Sequence, residues 1–167
     1  MGLFDFLTGN DPSSEWPELG MQLLTVCLAK PSVNGVELGA PSTELSSFGR
    51  PSNKRPFKEE RFLFDSLGIS AEIENDRVSY FGLPVVRMDS DNIGPCEFKL
   101  RFLDGSEIKV NEHSSADTLL ANLPNVAEPD VDSGETVHFI HIDNYCLELE
   151  SAPNGKMRRL NLYPREN

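Results

Sequence analysis

His138 and His141, separated by two residues, come nearest in this chain to the spacing of a metal site, because imidazoles held close together ligate zinc. The apolar run around them, residues 136–142, reads as a strand, and residues three apart on a strand point to opposite faces. The two rings then cannot share an ion, and both are expected to be structural. Asp89, Asp91 and Gly94 have the opening rhythm of a calcium loop, but Ile93 supplies no side-chain oxygen and Leu100 stands where the bidentate Glu belongs, which rejects it. Cys146 lies near both histidines in sequence, yet Glu148 and Glu150 beside it would hold a thiol protonated. Neither a nucleophile elbow nor a phosphate-cradling glycine loop occurs. The pairs Glu72/Glu74 and Glu148/Glu150 share strand parity and read as acidic patches on a solvated face. No catalytic, cofactor-binding or metal-ligating residue is assigned, and no cofactor is expected.

The elements that carry these residues fall into two similar runs. Residues 24–28 (LTVCL) answer to 98–102 (FKLRF), 42–51 (STELSSFGRP) to 115–124 (SADTLLANLP), and 70–74 (SAEIE) to 146–150 (CLELE). Each run predicts a buried strand, a short helix and a three-stranded antiparallel meander. In the first, strands are expected over 21–29, 60–65, 68–74 and 77–86, with a helix from Ser42 or Thr43 to Phe48, a loop over 50–58 and a tight turn at Asn75 and Asp76. In the second, strands are expected over 97–103, 107–110, 136–142, 145–150 and 156–163, with a hairpin at Asp104 and Gly105 and a helix near 115–122. The predicted fold class is α+β: two tandem similar units, each a short helix packed on an antiparallel sheet with one open face. The boundaries are an N-terminal arm and linker over 1–20, units over 21–88 and 96–164, and a linker over 89–95.

Period-2 parity then sorts the side chains. Ala71, Ile73, Phe81, Leu83, Leu147, Leu149, Leu160 and Leu162 should form core, and Glu72, Glu74, Tyr80, Cys146, Glu148, Glu150, Arg159, Asn161 and Tyr163 should lie on the opposite face.

With 167 residues and a net charge of −12, the chain is long enough for a sizeable core and ill-suited to a nucleic-acid backbone as main partner. It holds no apolar run long enough for a membrane-spanning helix. The opening residues 1–7 (MGLFDFL) do not match a secretory signal, and residues 1–8 are expected as a short amphipathic helix docked on the body, with contact to a partner or a membrane surface as the alternative. Three scattered cysteines fit reduced thiols and a cytoplasmic protein.

The strand, the short helix closing at Gly49 and Pro51 (residues 45–51, LSSFGRP) and the strand at 68–74 (GISAEIE), with 119–124 and 145–150 as counterparts, resemble the repeat of the β-lactamase-inhibitory-protein fold. The layout is also similar to small outer-membrane assembly lipoprotein domains of that architecture. This resemblance implies open sheet faces that bind another protein, without catalysis. The expected function is a non-enzymatic protein-binding or inhibitor-like module, with Tyr80, Glu148, Glu150, Arg159 and Tyr163 as the partner-binding residues, since Tyr and Arg anchor interfaces. The alternatives are a small-ligand carrier or enzyme with a pocket between the units, using His138 or His141, and an immunity protein that neutralises a basic toxin.

Overall fold

The computed structural model describes residues 11–20, 22–87 and 93–165. The predicted terminal helix over residues 1–8 and most of the 89–95 linker lie outside these. After a 3-10 turn at Pro12–Glu15 come β1 (Leu24–Cys27), β2 (Ser32–Val33), β3 (Val36–Glu37), a 3-10 helix Ser42–Phe48, α1 (Pro56–Glu59), β4 (Arg61–Phe64), β5 (Ile69–Glu74) and β6 (Arg77–Pro84). The second run comprises β7 (Phe98–Arg101), β8 (Glu107–Val110), α2 (Ala116–Leu120), β9 (Asp130–Val131), β10 (Thr136–Ile142), β11 (Tyr145–Ser151) and β12 (Met157–Pro164). The architecture is α+β, with two helix-plus-sheet units of mainly antiparallel strands, and neither sheet closes.

Each unit hands strands to both sheets. The five-stranded sheet runs β3-β2-β1-β7-β8 and the seven-stranded sheet β4-β5-β6-β12-β11-β10-β9, so the units meet at β1–β7 and at β6–β12. The β1–β7 pairing is parallel, with Leu24 beside Phe98 and Val26 beside Leu100. The β6–β12 pairing is antiparallel, with Phe81 opposite Leu162, Gly82 opposite Asn161 and Leu83 opposite Leu160.

The two units repeat their hydrogen bonding in detail. Pro41 bridges to Arg77 ahead of the first helix, and Ser115 bridges to Lys156 ahead of the second. The Ser42 N–H donates to Asp76 O and the Ala116 N–H to Gly155 O; likewise Val78 N–H donates to Ala40 O and Met157 N–H to Ser114 O. Both meanders also break register at matching places, β5–β6 at Glu72/Ile73 and β11–β12 at Glu150/Ser151. Glu72 faces Tyr80 just as Glu150 faces Arg159, so Glu72 corresponds to Glu150. The sequence comparison had placed Glu72 level with Glu148, two residues off. A period-2 pattern is unchanged by a shift of two, so alternation alone cannot fix that offset.

All eight residues assigned to the core by parity are buried, and both sheets and the helices share one core. Phe48 turns edge-on to Phe64 at 5.4 Å and to Phe81 at 6.1 Å, which seats the first helix on the inner face of the seven-stranded sheet. Two stretches read as loop are ordered by aromatic contacts. Pro56 starts α1, and Phe57 lies 5.0 Å from Phe62. Asp11 caps the turn at Pro12–Glu15, and Trp16 after it stacks on Phe62 at 5.7 Å. The hairpin at Asn75 and Asp76 forms as expected, both at positive φ, the geometry a two-residue turn requires.

Candidate site on the outer face of the seven-stranded sheet

One cross-strand row on this face runs Leu63, Ser70, Gly82, Asn161, Glu148, Phe139 over β4, β5, β6, β12, β11 and β10. At its centre Gly82 faces Asn161, where the two units join. A Cβ on Gly82 would come within 2.7 Å of Ser70 Oγ and 2.9 Å of the Tyr80 hydroxyl. Tyr80 therefore folds back along its own strand into the space that glycine leaves open, and its hydroxyl reaches across to Asn161.

Asn161 ties the site together. Its side-chain oxygen accepts from the Tyr80 hydroxyl at 2.8 Å. Its amide nitrogen donates to Glu148 Oε1 at 2.6 Å and to Glu150 Oε1 at 3.0 Å. The second oxygen of Glu148 accepts from the Tyr163 hydroxyl at 2.9 Å, and Arg159 Nη1 lies 3.6 Å from Glu150. The Tyr80 and Tyr163 rings run nearly parallel, with centroids 6.3 Å apart. The structure thus brings Tyr80, Glu148, Glu150, Arg159 and Tyr163 into one hydrogen-bonded cluster. Asn161 is 4% exposed and Glu150 8% exposed, although Leu45, Phe48, Ala116 and Leu119 of the helices pack into the shared core. The polar side chains shield one another, with the two tyrosines half-buried above them.

This shielding sets the ionisation. Burial pushes both the Tyr80 and Tyr163 phenols well above the ordinary value, and the neighbouring Glu148 carboxylate adds to it. Both therefore remain hydrogen-bond donors at physiological pH. Burial also raises the Glu150 carboxyl, against the pull of Arg159 and Asn161. Cys146 shares this face opposite Tyr163, and burial raises its thiol too.

The remaining candidates separate. His138 pairs with Leu149 on the inner side and His141 with Cys146 on the outer side, so the two rings take opposite faces; each Nδ1 is shut from solvent without a hydrogen-bond partner. Among the described residues no group of three or more His, Cys, Asp or Glu side chains is placed to hold a metal ion. An open groove of about 390 Å³ is walled by Gly35, residues 37–41, Glu44 and Arg77. Its walls all belong to the first unit, and neither histidine lines it. No described helix is long and apolar enough to cross a membrane.

Parity placed Asn161 on this face without marking it as the hub, and it gave no sign that Gly82 matters. The signal available in sequence is a lone glycine two residues after a tyrosine within a strand, which marks a close approach. Comparison of the chain with protein-family models, with characterised proteins and with solved structures gave no match in any of the three.

Proposed function

We propose that this protein is a non-enzymatic protein-binding or inhibitor-like module that docks a basic partner surface on the outer face of its seven-stranded sheet. The observation that carries this is the single cluster in which Asn161 joins Tyr80, Glu148 and Glu150, with Tyr163 bonded to Glu148 and Arg159 beside Glu150. Side chains already fixed before an encounter lose little entropy on binding, and Tyr and Arg are the residues that most often anchor interfaces. Glu72, Glu74, Glu148 and Glu150 stand against Arg61, Arg77 and Arg159 on these strands, and the chain as a whole carries −12, so a basic partner is the complementary one. An immunity protein against a basic toxin is the special case in which that partner is the toxin. The matched hydrogen bonds of the two units support a duplicated module, and the free state of Cys27, Cys96 and Cys146 supports a cytoplasmic setting.

The test is affinity capture from native extract with the wild type, with Tyr80→Ala/Tyr163→Ala, and with Lys30→Ala as a remote control, followed by titration of the purified captured protein at low and high salt. The expected partner binds the wild type and Lys30→Ala alike, binds the double variant at least about tenfold more weakly, and loses affinity as salt rises. A partner held equally by all three proteins, or indifferent to salt, overturns the proposal.

A further inference from the structure

The free edges of the two sheets are treated differently. On β4 the outward backbone groups are occupied: Arg61 O accepts from Asn53 Nδ2 at 2.7 Å, the Leu63 N–H donates to Asn53 Oδ1 at 3.1 Å, and Leu63 O accepts from the Ser52 N–H at 2.7 Å. On β3 the Glu37 carbonyl accepts from the Ala40 N–H. Beside β8 the described residues supply no such cover. In the first unit β2 is flanked by β3, whereas β8 ends the strand order.

The register shows which groups β8 leaves outward. Gly105, at φ +84, closes a three-residue hairpin in which Phe102 N–H donates to Ser106 O and Gly105 N–H to Phe102 O. From that narrow pair the ladder alternates, so Leu100–Ile108 and Phe98–Val110 are hydrogen-bonded pairs, while Glu107 and Lys109 turn their N–H and C=O away from β7. Among the described residues these four groups have no partner. Beyond them the Asn111 N–H is capped by Ser114 Oγ at 3.0 Å, which ends the open stretch.

We propose that β8 pairs antiparallel with β8 of a second copy of this chain, about a two-fold axis through Ile108. In that register Glu107 of each copy faces Lys109 of the other, and the outward N–H and C=O groups of both residues are satisfied with none left over. Opposite charges meet on the outer face at both places. The two Ile108 side chains, partly buried at the edge of each core, meet on the inner face. Glu107 already pairs with Arg101 at 2.6 Å and Lys109 with Glu97 at 2.5 Å, so the interface adds two ion pairs to a face already built of them. A slip of two residues, the smallest that keeps both inner faces on one side, sets Glu107 against Glu107 or Lys109 against Lys109, which selects this pairing.

Sedimentation equilibrium of the full chain tests it, using wild type, Glu107→Lys, Lys109→Glu, and an equimolar mixture of the two variants. Each variant alone places like charges opposite each other twice, whereas the mixture restores Lys against Glu at both positions. The expected result is a reversible wild-type dimer, a dissociation constant about tenfold higher for each single variant, and recovery to within about twofold in the mixture. A wild type that stays monomeric, a dimer that neither variant weakens, or a mixture no tighter than its components overturns the proposal. Recovery in the mixture also separates lost pairing from misfolding.

Discussion

The outer faces of the two sheets are built from the same kinds of residue and treat charge in opposite ways. On the five-stranded sheet Lys99, Arg101 and Lys109 meet Glu97 and Glu107 in direct ion pairs whose side chains are all about a third to a half exposed. On the seven-stranded sheet Glu148 and Glu150 are joined through a neutral amide and roofed by two tyrosines. The difference starts with Gly82, whose missing side chain lets Tyr80 lie flat over the junction of the units. Water screens the first arrangement, so its individual pairs are each worth little. In the second, every shielded polar group needs a partner, and loss of one strands the others.

The sharpest way to break this contrast is Asn161→Asp, which sets a third carboxylate between Glu148 and Glu150. Urea unfolding at pH 7 should show a loss of about 3 kcal/mol, recovered in part as acid protonates the group; a loss no larger than that of Lys109→Ala would erase the distinction between the faces. Gly82→Ala comes next. The new Cβ displaces the Tyr80 ring and Ser70 Oγ, for a cost of about 1–2 kcal/mol and a changed ring environment for both Tyr80 and Tyr163 by NMR. Tyr80→Phe removes one donor and leaves Asn161 Oδ1 unpaired, a loss of about 1 kcal/mol.

The smallest effect is one of sign, read from stability against pH. Glu150 has a folded pKa raised by burial, so its stabilising contribution is complete below the unfolded carboxylate value and is lost as pH rises through the folded one. Glu107 has a folded pKa lowered by its hydrogen bond to Arg101. Its contribution is present above the unfolded value and lost as pH falls through the folded one. Glu150→Gln should therefore gain on the wild type as pH rises above about 4.5, whereas Glu107→Gln should lose on it as pH rises toward about 4.5 and stay level beyond. Parallel curves for the two variants would show that the faces do not differ electrostatically.

Much of the fold was legible because burial imposes a period. Ala71, Ile73, Phe81 and Leu83 with Leu147, Leu149, Leu160 and Leu162 announce the inner face by alternation alone. The likeness of residues 24–28 to 98–102 turned out to be the register in which β1 and β7 lie side by side. What alternation leaves open is the neighbour of each strand, so the exchange of strands between units was not foreseen. The short helix Pro56–Glu59 looks like loop in the sequence because its formation rests on a tertiary contact, Phe57 on Phe62. Within the site, parity selected the correct face but could not reveal that Asn161 is its hub. An asparagine at an outward strand position looks the same in sequence whether it meets water or two carboxylates and a phenol.

The central claim is that this cluster acts as one unit through Asn161, and a double-mutant cycle between Tyr80→Phe and Tyr163→Phe, read by urea unfolding, tests it most directly. The two hydroxyls do not bond to each other; they are linked through Asn161 and Glu148. A connected network gives a coupling energy of about 0.5–1 kcal/mol. Strictly additive losses would contradict it and leave two independent tyrosines on an ordinary polar sheet face.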